Sequence, residues 1–254
     1  MTRSRIDHLI AFFLLLLSAP PTFADEPATD ANLVTALDVS DSIMRHEEWL
    51  ELQGLATAVT SAAFLDAIAG GTYGRIGFTV FTWSSGGRRT SLVPWTVIET
   101  TEDARRVATL LRRVPQIDRS AWARDGNGSG LSAAAEHRTD ISAAIDFALD
   151  LIAAAPYRSR RSVINVCANG KDNVGSGPRA ARDRALAAGI VINALAIAPR
   201  KHIAAYFDRQ VRGGPGSFVI EVSAPEHVAA AMLDKLLRDL IAAGPQAHLA
   251  APAT

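Results

Sequence analysis

The chain has little cysteine, few aromatic residues and no excess of charge of either sign. Cys167 is the one cysteine in 254 residues. An internal disulfide is therefore excluded, and so is a zinc centre built from several cysteines. Basic and acidic side chains number 26 each, so no global electrostatic term favours nucleic acid or an anionic membrane. His46, His137 and His202 show no H-E-x-x-H or paired spacing, which argues against histidine metal ligation. No G-x-S-x-G elbow and no P-loop occur. Gly126, Gly128 and Gly130 neither follow a strand nor open a helix, so they are no dinucleotide fingerprint. Beyond the first two dozen residues, no apolar run approaches the roughly 18 residues a membrane-spanning helix needs.

Hydrophobic residues make up 48% of the chain, too many for a disordered polymer. The length suits one larger globular domain or two small ones. The apolar content is uneven. Arg3 and Arg5 precede an uncharged run from Leu9 to Leu17, and Thr22 and Ala24 stand at positions −3 and −1 before Asp25. This is the three-part grammar of a secretory signal peptide over residues 1–24. The alternative, a membrane anchor, is disfavoured because the run is short for a bilayer. No twin arginine is present and no cysteine follows the run, so a lipid-anchored precursor is not expected. A protein cleaved after Ala24 would be periplasmic or secreted, with no stable membrane span. It would keep 24 basic and 25 acidic residues, so partner choice would rest on a local site. Cys167 lies in an apolar run and reads as a buried small residue.

Residues 25–32 read as a polar leader, 33–243 as one domain, and 244–254 as a disordered Ala/Pro-rich tail. Leu33 to Asp38 is an apolar run ending in an acid, expected as a buried strand. Residues 43–68 switch to helical spacing through Leu52, Leu55 and Val59, with Glu47, Glu48 and Glu51 near the positive end. Arg75 to Trp83 is strand-like, and Leu92 to Ile98 is an edge strand, since Pro94 cannot donate to a ladder. A helix follows from Thr100. Residues 115–138 form a long loop, which usually means function or mobility. Thr139 opens another helix, and Ser162 to Cys167 is a strand. The polar turn Ala168 to Gly175 follows it. The rest alternates: helix 179–188, strand 190–197, helix 201–211, strand 218–222, helix 225–242. Alternation with uniformly apolar strands predicts an α/β fold: a doubly wound, mainly parallel sheet with helices on both faces and one antiparallel edge strand. Such folds hold their sites at the carboxyl ends of strands.

Chemistry concentrates after the first strand. Asp38, Ser40 and Ser42 recur at every second position, so an acid and two hydroxyls can turn toward one point. Hard cations such as Mg²⁺ take oxygen ligands of this kind. Thr139, and Asn169 with Asp172, lie on loops that could complete the site. The bland alternatives are an N-cap for Asp38 or Thr139 and a plain turn for Asn169-Gly170.

D-x-S-x-S after a first strand, a threonine on a later loop and an acid after the fourth strand resemble the metal-ion-dependent adhesion site of von Willebrand factor type A domains. The resemblance covers roughly the whole mature chain. It is similar in particular to a group of exported bacterial proteins, through Leu52-Gln53-Gly54, Trp83-Ser84, Val93-Pro94-Trp95-Thr96, and the run Gly189 to Ile197. Tyr206-Phe207, Val211 to Gly216 and Lys235-Leu236-Leu237 share in it. The resemblance implies that Ser40 and Ser42 bind Mg²⁺ or Mn²⁺ directly. Thr139 would bind directly or through water, and Asp38 mostly through water. An open coordination position would then accept a carboxylate from a partner protein. The chain departs from the family at the last ligand, where Asn169 stands in place of an acid; Asp140, Asp172 or Asp41 are the candidates to compensate. A non-enzymatic, exported binding domain is the function implied. A metal-free interaction module with a decayed site is one alternative. A metal-dependent hydrolase is another, and it lacks a general base beside a nucleophile.

Overall fold

A computed structural model describes residues 27–114, 138–197 and 201–241. The expected signal peptide, the tail and nearly all of the 115–138 loop lie outside these residues. A six-stranded sheet runs through the centre, in the spatial order β4-β3-β2-β6-β7-β8. Its strands are β2 (Asn32–Asp38), β3 (Ile76–Trp83), β4 (Arg89–Ile98), β6 (Ser162–Ala168), β7 (Val191–Ile197) and β8 (Val219–Val222). All neighbours pair in parallel except β3 and β4. The antiparallel edge strand expected around Pro94 is therefore present. It begins at Arg89, where a hairpin with Gly86 and Gly87 at positive φ turns the chain back. Ala28–Thr29, within the expected leader, form a short strand β1 that pairs with β5 (Arg158–Ser159).

Side-chain alternation sorts β2, β6 and β7 onto two cores. Leu33 and Leu37, Val163 and Cys167, and Val191 and Leu195 face helices α1 (Arg45–Val59), α2 (Ala62–Ala69), α3 (Thr101–Arg112) and α7 (Val228–Ile241). Val34 and Ala36, Ile164 and Val166, and Ile192 and Ala194 face α4 (Ile141–Ala153), α5 (Arg179–Ala187) and α6 (Lys201–Gln210). With both faces covered, the central strands show no regular apolar/polar alternation and read as mainly apolar runs, interrupted by Thr35, Asn165 and Asn193. Each fully buried Leu, Ile or Val contributes about 1.5–3 kcal/mol. α1 and α7 approach closely at Gly54, where a Cβ would sit 3.1 Å from the Ala229 Cα.

Two local features differ from the sequence expectation. The helix expected over 43–68 is two helices, bent by 51° between α1 and α2. Ser61 causes the break: its hydroxyl donates to Ala58 O at 2.8 Å and accepts from Phe64 N at 3.2 Å, capping α2. The helix expected to open at Thr139 is capped by Asp140 instead, whose Oδ1 accepts from Ala143 N at 2.9 Å. Glu48 and Glu51, read from the sequence only as acids near the positive end of the helix, are buried.

The chain winds outward from β2 in both directions, toward β3 and β4 on one side and toward β6, β7 and β8 on the other. The reversal leaves a crevice at the carboxyl end of β2, between β3 and β6, where doubly wound folds bind ligands.

Candidate functional site

β2 ends at Asp38, and the chain must turn sharply to enter α1. Asp38 makes the turn itself: its Oδ1 accepts from Ser40 N at 2.8 Å. Val39 N donates to Trp83 O at 2.9 Å, tying the turn to the end of β3. The turn throws the Ser40 and Ser42 hydroxyls to the same side, 3.0 Å apart. Ser40 also lies 3.1 Å from Thr139 Oγ1. Ser42 donates to Asn169 Oδ1 at 2.7 Å, and Asn169 Nδ2 returns a bond to Ser42 O at 2.7 Å. Asp38, Ser40, Ser42, Thr139 and Asn169 thus converge at the crevice from three separate loops. Asp38, Ser40 and Thr139 are buried, while Ser42 is exposed. Gly170 lies directly beside them, where a Cβ would be 3.5 Å from Thr139 Oγ1.

Two of the three acids considered as substitutes for Asn169 are engaged elsewhere. Asp140 caps α4. Asp172 accepts from Ser142 N at 3.1 Å through Oδ2 and from Val174 N at 3.1 Å through Oδ1. Burial and the nearby Asp140 raise its pKa, and the backbone donors oppose that rise. Asp172 therefore staples the turn after β6 to the start of α4. Asp41 is exposed on the turn into α1.

Thr139 is held by a bracket the sequence did not announce. Thr139 N donates to Asn173 Oδ1 at 2.9 Å, and Asn173 N donates to Thr139 O at 3.0 Å. On the other flank, Arg138 N donates to Ser85 Oγ at 3.0 Å, and Ser85 N donates to Arg138 O at 2.8 Å. Ser85 follows β3 and Asn173 follows β6, so both strand ends flanking β2 fix the threonine. The one available signal was the density of polar residues in the turn from Ala168 to Gly175.

The donor set is oxygen-only, which suits a hard divalent cation rather than zinc held by nitrogen or sulfur. Its formal charge is low. Among the described residues no three His, Cys, Asp or Glu side chains group to hold a metal, and Asp38 is the one carboxylate in the convergent set. In ligand type the residues would fit a hard divalent cation.

A deeper cluster lies in the core on the α1 and α7 side. Asp239 on α7 accepts from Asn165 Nδ2 and Asn193 Nδ2, each at 2.7 Å. Lys235, one turn earlier, bonds Asn165 Oδ1 and lies 3.5 Å from Asp239. Burial lowers the Lys235 pKa, and Asp239 opposes that shift. The Cys167 thiol, also buried, is pushed up by desolvation. Glu51 is pushed well above the ordinary carboxyl value, first by burial and then by the charges of Asp38, Glu47 and Glu48.

A protein family described as "Protein of unknown function (DUF1194)" matches residues 28–244. Comparison with curated proteins gives no match. Among solved structures, proximal thread matrix protein 1 from the mussel byssus superposes with a TM-score of 0.57 at 17% identity. The match covers 85% of this chain and 49% of that one, so the chain spans about half of its length. The same mussel protein is also known with a zinc-occupied metal-ion-dependent adhesion motif, matching at TM-score 0.53, 16% identity and the same coverage of both chains. The von Willebrand factor domain of the type V pilus tip protein Mfa5 from Porphyromonas gingivalis matches at TM-score 0.55 and 8% identity. That match covers 88% of this chain and 99% of the other. These likenesses establish a von Willebrand factor A fold.

Proposed function

The chain belongs to the DUF1194 family, and on that premise we propose that it is a non-enzymatic protein-interaction domain. It engages an acidic group on a partner through a divalent cation held by Asp38, Ser40, Ser42 and Thr139. The observation that carries this reading is the convergence of three hydroxyls within 3.1 Å contacts at the carboxyl end of β2. The cluster bonds to itself and to Asn169 rather than to a histidine or lysine base, which supports binding over hydrolysis. The signal-peptide grammar of residues 1–24 supports a periplasmic or secreted setting. Cell fractionation, with the mature N-terminus sequenced, tests that setting.

A melting series with Mg²⁺ and Mn²⁺ tests the metal. Millimolar cation should raise the Tm of the wild type, since a ligand that binds only the folded state stabilises it by mass action. Ser40→Ala should abolish the rise. An unchanged Tm in both proteins would sink the metal reading.

A second reading has its own observation. The Asn169 amide crosslinks Ser42 through both of its ends, at 2.7 Å each. The amide thereby closes the cluster without any cation. In this reading the domain binds its partner through the hydroxyls and backbone alone, and chelation leaves the affinity unchanged.

A further inference from the structure

The buried cluster beneath α7 brings an amine, a carboxamide and a carboxylate into one contact set. Asn165 on β6 and Asn193 on β7 are cross-strand partners, and both side chains reach Asp239 on α7. Lys235, Asp239, Asn165 and Asn193 are each at most 2% exposed. Lys235 Nζ donates to Asn165 Oδ1. The carbon behind that oxygen, Cγ, is at most about 1.2 Å further from the amine. The fold thus holds a nucleophile against a carbonyl in advance, which removes most of the entropic cost of their meeting.

Asp239 completes the arrangement. Its Oδ2 lies 3.5 Å from Lys235 Nζ and accepts from Asn165 Nδ2 at 2.7 Å. One oxygen therefore borders both the nitrogen that would lose a proton and the nitrogen that would gain one, as a general acid–base must. Its Oδ1 accepts from Asn193 Nδ2 at 2.7 Å, and Phe218 N donates to Asn193 Oδ1 at 3.0 Å. The carboxylate is fixed on that side. Burial lowers the Lys235 pKa against the pull of Asp239, which enlarges the neutral, nucleophilic share of the amine. The Phe218 ring lies 5.4 Å from Nζ, and Val163, Cys167 and Leu195 flank the two asparagines on their strands. Burial at this depth keeps bulk water, the competing nucleophile, away from the amide carbon.

We propose that this cluster modifies itself: Lys235 Nζ and Asn165 Cγ join in an isopeptide bond, with Asp239 carrying the proton between them. The Nζ–Cγ bond forms and the Cγ–Nδ2 bond breaks. The neutral amine gives one proton to Asp239 Oδ2, Asp239 returns it to Nδ2, and that nitrogen leaves as ammonia. The step consumes no oxidant, metal or further reactant. The link ties α7 to the middle of the sheet across 70 residues of sequence, in a chain whose single cysteine allows no internal disulfide. Closing such a loop restricts the unfolded chain as a disulfide does.

Mass spectrometry of the full chain, with its N-terminus sequenced, tests the bond. The intact wild type should fall short of its sequence mass by one ammonia, and its digest should contain a branched peptide joining the Asn165 and Lys235 segments. This measurement needs no variant to fold. Lys235→Met should restore the full mass and the separate peptides. Asp239→Asn keeps the side-chain shape but removes the proton carrier, and should do the same. After boiling in denaturant, the wild type should migrate faster on a gel than Lys235→Met, because its loop stays closed. A wild type of full mass with unlinked peptides overturns the proposal and leaves an ordinary buried ion pair. A mass deficit that persists in Lys235→Met also overturns it, since a succinimide at Asn169-Gly170 would lose ammonia too. A branched peptide that survives in Asp239→Asn overturns the role given to Asp239.

Discussion

Two asparagines four residues apart, Asn165 within β6 and Asn169 just beyond it, belong to two polar clusters of opposite kind. Asn165 joins Asn193, Lys235 and Asp239 in a closed core network, where every carboxylate oxygen of Asp239 meets an amide. Asn169 joins Ser40, Ser42 and Thr139 at an open crevice, where neutral hydroxyls mainly bond one another. The closed cluster opposes charge with charge in a dry environment. Removing one member there exposes another to an uncompensated interior. The open cluster borders solvent and holds hydroxyls that can rotate toward a newcomer at small cost. The first fixes the position of α7 on the sheet; the second is free to exchange partners.

The largest way to sharpen that contrast is Asp239→Ala. It strands the Lys235 ammonium and two amides in the core, and should lower stability by about 3–5 kcal/mol. Urea unfolding should show this as a lower midpoint at unchanged slope. Lys235→Met in the same background should recover part of the loss, because the stranded charge is then gone. A double variant no more stable than the single one would show that the ion pair is not the dominant contact.

Glu51 offers a subtler probe from the same core. Its folded-state pKa is raised, so its contribution is fully present below the ordinary glutamate value of about 4.3. That contribution is lost as pH rises toward the folded value. Glu51→Gln should therefore stabilise the protein at neutral pH and flatten the fall of Tm with rising pH. Parallel pH profiles for wild type and variant would remove Glu51 from the explanation.

How these clusters differ also explains what could be read in advance. The parallel strands were legible because covering both faces makes them mainly apolar, Asn165 and Asn193 being the exceptions. Asp38, Ser40 and Ser42 were legible because their chemistry is local, set by alternate positions on one turn. Glu48 and Glu51 were not. They sit where the helical stripe of Leu52, Leu55 and Val59 extends toward the N-terminus. A preference for acids at a helix start masked burial that arises only from packing. The break at Ser61 was hidden because its cap falls inside an unbroken apolar period. Asn173 was hidden because its partner, Thr139, is 34 residues away. Removing that bracket with Asn173→Ala should cost about 1 kcal/mol. The same change should also loosen Thr139, weakening any Tm rise that Mg²⁺ produces.

The smallest expected effect on stability tests the open cluster most directly. Asn169→Asp exchanges an amide for an isosteric carboxylate at a half-exposed position. Without metal the change should stay within about 0.5 kcal/mol of the wild type. The lost Nδ2 bond to Ser42 O is replaced by water at this solvated rim, which keeps the cost small. With metal the two proteins should separate, because the variant adds a second negative charge beside Asp38. Calorimetric titration should find Mg²⁺ bound about tenfold more tightly by Asn169→Asp, a difference of about 1.4 kcal/mol. If the wild type binds no Mg²⁺ and the variant does, the amide is what keeps the parent site metal-free. If both bind equally, the three hydroxyls and Asp38 suffice, and Asn169 serves to hold Ser42 in place.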